Sequence, residues 1–362
     1  MNRWFVTLLF AMPLCGQRSP QELLKEATEL QQSGKFEQAI EDYREILKAY
    51  PDLAPVRSNL GAALAGSGRY TEAIEEYNRA LSKEANPRVR LNLALAYYKT
   101  LQLQKAADTL VMVHGEEPAN QQVVTLLADC YLRLGRNSDV ITLLSPVAQP
   151  DLGIRYMLGT ALIRDGRVEQ GQVVIDPILK NGDSAEARLL MGTTKLMVND
   201  LNGAVSDLRK AVELNPNLPD VYSYYGSALL STGDPASARQ AFEKELALDP
   251  NSFEANLRMG VLLRQDEDSA NALKYFDHAL LVRPGDIGVR YQIAATELGV
   301  GQVENARKEL EAILKEAPNF TEAHVTLATA YYREKRKADG DRERATVTRL
   351  NAEKQAIEPG AK

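Results

Sequence analysis

Prolines recur at a fixed interval of 34 residues over the second half of this 362-residue chain, at Pro216, Pro250, Pro284 and Pro318. Two further sets of small residues keep the same phase, one set twelve and the other twenty-four residues before these prolines: Ala204, Ala238, Ala272 and Ala306, then Gly192, Gly226, Gly260 and Ala294. Such self-similarity indicates an array of one small structural unit. In an array each repeat contacts its neighbours, so no single large core is needed.

The segment 219–250 shows what one repeat folds into. Its apolar and small residues follow the i, i+3, i+4, i+7 spacing of a helix with one buried stripe, at Tyr222, Tyr225, Gly226 and Leu229. Gly233 then predicts a left-handed helix end, and Asp234 with Pro235 predicts the start of a second helix. Ala238, Phe242 and Glu245 share one face of that second helix. Each repeat is therefore predicted to be a pair of antiparallel helices.

This pattern resembles the tetratricopeptide repeat (TPR), whose 34 residues carry a large residue, Leu-Gly, Tyr, Ala, Phe and Pro in order. The resemblance implies an all-α fold, a right-handed α-solenoid (superhelix) of about ten antiparallel helix-turn-helix TPR units with a C-terminal capping helix. In phase, the predicted repeats start near Pro20, Ala54, Pro87, Gln121, Leu152, Ala185, Pro219, Phe253, Ile287 and Thr321.

We divide the chain into five segments: a signal peptide (1–17), N-terminal TPR repeats (18–138), degenerate repeats with a bend (139–183), C-terminal TPR repeats (184–334), and a charged capping helix with its tail (335–362). The degenerate segment has Val140 and Gly171 where other repeats carry the second-helix alanine. The fourth repeat is about three residues short. Pro177 predicts a kink or an early break in a second helix, since proline removes a backbone donor.

The first 17 residues differ from the rest of the chain. Arg3 precedes an uncharged, mostly apolar run of eleven residues, 4–14, which is too short to span a bilayer as a helix. This is the pattern of a secretory signal peptide, so we expect an exported protein of the periplasm or cell envelope. A lipid anchor at Cys15 is the alternative to ordinary cleavage, although Leu14 and Met12 fit a lipobox poorly. A hydrophobic helix packed on the first repeat is a third interpretation.

The net charge and the motifs of the sequence argue against several classes of function. The formal net charge of −6 argues against nucleic-acid binding, which needs a basic face. The three histidines, His114, His278 and His324, have no metal-ligand spacing, and common nucleophile, zinc-protease and nucleotide-binding patterns do not occur. Removing the leader and the last helix leaves only repeats. We therefore expect no catalytic activity, no cofactor and no metal, and a protein or peptide as the partner.

In TPR arrays the first helices line a concave groove in which extended peptides or partner helices bind. Carrying the groove positions over to this chain gives a mixed basic and aromatic surface: Arg88, Tyr98, Lys99, Asp129, Arg133, Tyr156, Arg164, Ser227, Arg264, Tyr291 and Tyr332. Tyrosine and arginine are the residue types that dominate binding hot spots. A segment with acidic and apolar residues would match this surface.

The sequence thus favours a non-enzymatic scaffold for protein interaction, which binds a peptide or partner segment in the groove. Two alternatives stay open. The array could be a structural or assembly component of a cell-envelope secretion, pilus or polysaccharide-export complex, or it could be an accessory subunit of an enzyme.

Overall fold

Twenty helices make up the part of the chain that the computed structural model describes, residues 19–147, 151–180 and 184–357. They alternate as first and second helices of ten repeats. The first helices are α1 (Pro20–Gln32), α3 (Ala54–Gly66), α5 (Pro87–Lys99), α7 (Gln121–Arg133), α9 (Leu152–Arg164), α11 (Ala185–Met197), α13 (Val221–Ser231), α15 (Phe253–Gln265), α17 (Ile287–Gly299) and α19 (Thr321–Arg333). The second helices are α2 (Phe36–Ala49), α4 (Tyr70–Leu81), α6 (Leu103–Glu116), α8 (Asn137–Leu144), α10 (Val168–Lys180), α12 (Leu201–Leu214), α14 (Pro235–Leu248), α16 (Ser269–Val282), α18 (Val303–Glu316) and α20 (Lys337–Ile357).

The predicted all-α array of helix pairs is confirmed, and nine of the ten predicted repeat starts coincide with the first residue of a helix. The chain divides into two compact bodies, an N-terminal body (Met1–Val147) with α1 to α8 and a C-terminal body (Ala148–Lys362) with α9 to α20. The division falls inside the segment predicted to be degenerate. The predicted leader, 1–17, and Cys15 lie outside the described residues.

The turn between the two helices of each repeat has the same backbone conformation in all ten repeats. A residue with positive φ occupies the fifteenth position, and in six repeats it is a glycine, as at Gly233 with φ 83°. In the other four repeats the position holds a residue with a Cβ atom, which makes this left-handed conformation sterically unfavourable: Leu101, Asn199, Glu267 and Lys335.

Close approach of the two helices explains the small residues of the 34-residue pattern. Ala238 and Ala272 are fully buried on their second helices. Opposite them, a Cβ added to Gly226 would lie 2.7 Å from Phe242, and one added to Gly260 would lie 2.5 Å from Phe276. The ring therefore packs directly on the backbone of the first helix. The first nine repeats each bury one such ring or aliphatic side chain between their helices, whereas the tenth carries the exposed Arg344 at this position.

A polar bracket also joins the two helices of several repeats. Arg57 of α3 donates from Nε to the Pro51 carbonyl at 2.8 Å and from Nη1 to Glu76 of α4 at 2.5 Å. The same separation of nineteen residues joins three more pairs: Arg188 with Asp207 (2.6 Å), Arg290 with Glu309 (2.5 Å) and His324 with Glu343 (2.5 Å). In the repeats of Arg57 and His324, a second bond, to the carbonyl of Pro51 or Pro318, also holds the second helix to the turn that precedes the first helix.

Two irregularities fall in the segment 139–183. Helix α8 has eight residues, whereas the second helices α2, α4, α6 and α10 have twelve to fourteen. The early break predicted at Pro177 does not occur, because α10 continues through it to Lys180. The missing N–H of Pro177 leaves the carbonyl of Val173 without its helical donor, and the exposure of Val173 places that region beside solvent. The proline therefore removes one hydrogen bond from α10.

The last helix, α20, packs against α19 as the predicted capping helix would. Among those residues of α20 whose burial is described, Gly340 and Leu350 are buried and Ala345 is exposed. The remaining surface carries charged side chains, several of which pair with one another, as Arg349 does with Glu353 at 2.8 Å. A polar outer face of this kind ends a repeat array without leaving an apolar surface open to water.

Candidate protein-binding face

The first helices lie on the inner side of each array. In the C-terminal body they contact one another in succession from α9 to α19, and in the N-terminal body α3 contacts both α1 and α5. Within the described residues, consecutive second helices do not approach one another in this way. An array whose first helices are closer together curves toward them. We call the surface that they present the first-helix face.

In the N-terminal body, three predicted site residues come together on this face. The Tyr98 hydroxyl of α5 donates to Asp129 of α7 at 2.6 Å, and Arg133 lies 3.3 Å from the same carboxylate. The Arg133 guanidinium also sits 5.5 Å from the centre of the Tyr98 ring. Burial, followed by the charge of Asp129, raises the pKa of Tyr98. These side chains bind one another, and the predicted residues Arg88 and Lys99 are exposed.

In the C-terminal body, the predicted residue Arg164 reaches across two repeats. From the end of α9 its Nε donates to the Tyr224 hydroxyl at 2.7 Å, and its Nη2 lies 3.2 Å from the Asp220 carboxylate. Burial alone would lower the pKa of Arg164, but Tyr224 and Asp220 outweigh it and raise the pKa. Burial also raises the pKa of the neighbouring Tyr156, another predicted residue. We call Arg164, Asp220 and Tyr224 the cross-repeat latch.

The latch joins α9 to α13, the two first helices that contact α11 on either side in the array. The α11 residues Leu189 and Thr193 are 1% and 8% exposed. Their equivalents on α15, Leu257 and Val261, are half-buried, and on α19 the equivalent Val325 is 49% exposed. The first-helix face is therefore closed at α11 and becomes progressively more open toward α19.

Sequence reasoning missed several members of this region. Asp220 and Tyr224 lie within one helical turn of Ser223, on the side of α13 that faces α9, and helical spacing could have identified them. Arg283 follows α16, and its guanidinium stacks 3.8 Å from the centre of the Phe253 ring. Burial, together with the charge of Arg164, lowers the pKa of Arg283. Nothing in the repeat pattern marks a turn residue such as Arg283.

The remaining predicted residues lie along the first helices of the C-terminal body. Ser227 and Arg264 are half-buried on α13 and α15. The Tyr291 ring of α17 lies 5.0 Å from Phe320, and its hydroxyl is 3.2 Å from Thr326. Tyr332 contacts the capping helix, because its ring lies 2.6 Å from the position that a Cβ on Gly340 would take and its hydroxyl donates to Asp341 at 2.8 Å.

The described part of the chain lacks the features of a metal site and of a membrane-spanning helix. It contains no group of three or more histidine, cysteine, aspartate or glutamate side chains placed to hold a metal ion. Among its helices, none combines the length and the apolar composition that crossing a bilayer requires. Cys130 is fully buried in α7. Burial, followed by the charge of Asp129, raises the pKa of its thiol to about 12.

A solved structure of another protein has the same fold as this chain. Cut9, in the crystal structure of the anaphase-promoting-complex hetero-tetramer Cut9-Hcn1, is 14% identical, with a TM-score of 0.62 over 92% of this chain and 81% of that chain. Yeast Tom70 is 17% identical, with a TM-score of 0.42 over 92% and 76%. MamA from Desulfovibrio magneticus RS-1 is 23% identical, with a TM-score of 0.43 over 48% and 97%. A search of curated proteins found no match.

Paired helices in succession, with the first helices on the inner side, define the class of this protein as a helical-repeat array. The chain belongs to the tetratricopeptide repeat family. One model of that family matches residues 24–90, 59–112, 189–253 and 225–286, and a second matches 263–328, so that together they cover more than half of the chain. The matched ranges leave out 113–188, which includes the segment predicted to be degenerate.

Proposed function

We propose that the protein binds a segment of a partner protein on the first-helix face of the C-terminal body, from α13 to α19. The observation that supports this most is the opening of that face beyond the latch. Leu257 and Val261 lie four residues apart on one side of α15, and the equivalent positions of α19, Val325 and Thr329, are exposed. A partly exposed and largely aliphatic stripe on the inner side of an array favours an interaction site.

The charged side chains of the first-helix face indicate the chemistry of the partner segment. Arg164, predicted to bind an acidic ligand, is engaged by Asp220, and Arg133 is engaged by Asp129. Arg264 of α15 lies beside this stripe and forms no ion pair with the residues that the structure describes. A partner segment with aliphatic side chains and a carboxylate near Arg264 fits this face. Many modest contacts on a rigid frame would supply the affinity.

Site-specific photocrosslinking tests the proposal. A photoreactive phenylalanine analogue replaces Val261 or Val325 on the first-helix face, and Glu243 on the exposed side of α14 serves as the matched control. We expect the same partner band from both first-helix positions and none from position 243. Crosslinks from position 243 alone would place the binding site on the second helices and overturn the assignment.

The proposal includes export, which the pattern of residues 1–17 supports. Cell fractionation with N-terminal sequencing of the purified protein tests this. A processed N-terminus near residue 16 in the envelope fraction is expected, whereas an intact Met1 in the cytosol would contradict it.

A further inference from the structure

The seventh repeat lacks the capping side chain that precedes the first helix in other repeats. Several repeats have, at the equivalent position, a side chain that accepts a backbone N–H of the helix: Asn120, Asp151, Ser184, Ser252 and Asp286. The seventh repeat has Leu218 there, and it is buried. Helix α13 begins at Val221, two residues later than predicted, and the side chain of its N-cap residue Asp220 makes no capping bond. The start of α13 therefore needs an acceptor from another element.

Glu245 of α14 supplies that acceptor. Its carboxylate accepts the backbone N–H groups of Asp220, Tyr222 and Ser223 at 3.1, 3.0 and 3.2 Å. Glu245 is 2% exposed. The equivalent residues of neighbouring repeats, at multiples of 34 positions, are apolar: Ala211, Ala279 and Ile313. Without the carboxylate, buried N–H groups at the start of α13 would have no acceptor, which is costly. Glu245 therefore caps α13 from inside the repeat.

The same carboxylate holds Asp220 in an unfavourable conformation. The backbone of Asp220 is left-handed, with φ 63°, which is sterically unfavourable for a residue with a Cβ atom. Such a conformation persists only where the surrounding contacts impose it. One such contact is the bond from the Asp220 N–H to Glu245, and another is the turn bond from the Val221 N–H to the Leu218 carbonyl at 3.2 Å. Glu245 thus helps to determine where the side chain of Asp220 points.

Asp220 in turn joins the seventh repeat to the fifth. Its carboxylate lies 3.2 Å from Nη2 of Arg164, the last residue of α9, and Nε of the same guanidinium donates to the Tyr224 hydroxyl at 2.7 Å. The Arg164 side chain is 22% exposed, so solvent screens this ion pair less than one on an open surface. The sixth repeat lies between α9 and α13 in the sequence, and the cross-repeat latch therefore connects two repeats that are not consecutive.

The fifth repeat depends on few neighbours. It is the first repeat of the C-terminal body, so within that body it has a consecutive repeat on one side. Its Ile163, Ile175 and Ile178 form one apolar cluster with residues of α11 in the sixth repeat. In a repeat array each repeat is stabilised by its neighbours, so a terminal repeat opens more easily than an internal one. The latch gives the fifth repeat a second attachment, to the seventh.

We infer that Glu245 controls the docking of the fifth repeat on the seventh, through Asp220 and Arg164. With the carboxylate in place, Asp220 is held against Arg164 and the fifth repeat stays docked. Without it, the turn before α13 relaxes and Arg164 loses its ion pair. The fifth repeat then opens as a unit, while the repeats from α15 to α19 stay folded. This inference goes beyond the proposed function, because α9 and α10 lie outside the proposed binding face and no partner is needed.

Hydrogen–deuterium exchange of the full chain, read by mass spectrometry at a single pH, tests the inference. Glu245→Ala removes the cap, Arg164→Met removes the cation of the latch, and the double variant combines both changes. Glu243→Ala is the matched control, because Glu243 is an exposed glutamate of the same helix. Exchange is compared in three parts of the C-terminal body: α9 with α10, the start of α13, and α15 to α19.

We expect Glu245→Ala to speed exchange in α9 and α10 by about tenfold or more, the factor that corresponds to losing a hydrogen bond to a charged group. Arg164→Met should give a similar increase there and leave the start of α13 protected. The double variant should add nothing further in α9 and α10, because both changes break one chain of contacts. Exchange in α15 to α19 should match that of the parent, and Glu243→Ala should match it throughout.

Faster exchange confined to the start of α13 in Glu245→Ala would show that Glu245 is a helix cap alone, and would overturn the inference. Additive effects of the two changes in α9 and α10, or an equal rise in α15 to α19, would also contradict it. If Glu245→Ala does not fold, Glu245→Gln, which keeps one acceptor oxygen, takes its place. The crosslinking test of the proposed function uses other positions, so either result can fail without the other.

Discussion

The imidazole Nδ1 of His324 lies 2.5 Å from Glu343 of the capping helix, and its Nε2 lies 2.9 Å from the Pro318 carbonyl. These are the same two partners, at the same sequence separations, that Arg57 has in Pro51 and Glu76. An arginine donates to both at once, whereas an imidazole can do so only when both ring nitrogens carry hydrogen.

His324→Arg is therefore expected to keep the bracket and preserve or increase the stability of the C-terminal body, whereas His324→Leu should lower its free energy of unfolding by about 1–3 kcal/mol. Urea denaturation checks both. His278→Arg, on the exposed side of α16, is the matched control and should leave the midpoint unchanged. Equal stability of His324→Leu and the parent would show that the bracket does not stabilise the array.

Close packing of glycine on an aromatic ring gives a second prediction. A Cβ on Gly260 would lie 2.5 Å from Phe276, a fully buried side chain without room to move. Gly260→Ala should therefore destabilise the protein by about 1–3 kcal/mol, the range for an overpacked core. Gly115→Ala is the control, because that glycine lies inside α6 with open space around it. Gly115→Ala should raise the free energy of unfolding by up to about 1 kcal/mol, because alanine has a higher helix propensity than glycine. Thermal unfolding separates the two, and a destabilising Gly115→Ala would undermine the packing argument.

The sequence predicted the array well because each repeat position has one physical requirement. Gly226 and Ala238 must be small, and Gly233 must adopt positive φ, so spacing alone located the helices. It misplaced the start of α13, because the capping group Glu245 comes from a position that in other repeats is apolar. It also could not pair Arg164 with Tyr224, sixty residues away, since that contact depends on the curvature of the array.

The four non-glycine turns offer a stabilising change. Glu267 and Lys335 are exposed and have φ of 64° and 60°. Glycine in either place removes the left-handed penalty of about 1–2 kcal/mol but adds freedom to the unfolded chain. We expect Glu267→Gly and Lys335→Gly each to raise the free energy of unfolding by about 0.5–1 kcal/mol, as chemical denaturation would show. Glu267→Ala should not raise the free energy of unfolding, because alanine has a Cβ as glutamate does. If Glu267→Ala stabilised the protein as much as Glu267→Gly, the backbone conformation could not be the cause.

The buried acid Glu245 predicts the pH dependence of stability. Its pKa is raised from 4.5 to about 7 in the folded protein, so between these values the folded state holds a proton that the unfolded chain has released. Stability from this group is complete below pH 4.5 and is lost as the pH rises through about 7, in total by about 3 kcal/mol. The unfolding free energy should therefore fall from pH 5 to pH 8 relative to that of Glu245→Gln, which carries no titrating group there.

Urea denaturation of both proteins across this range measures the difference, and the subtraction removes the titration of all other groups. Glu311→Gln is the matched control, because the pKa of Glu311 is lowered, so that carboxyl stays ionised across the window. Its difference from the parent should be constant from pH 5 to pH 8. A Glu245→Gln difference that is equally constant would mean that Glu245 is ionised in the folded protein well below neutral pH, and that its three backbone donors outweigh burial.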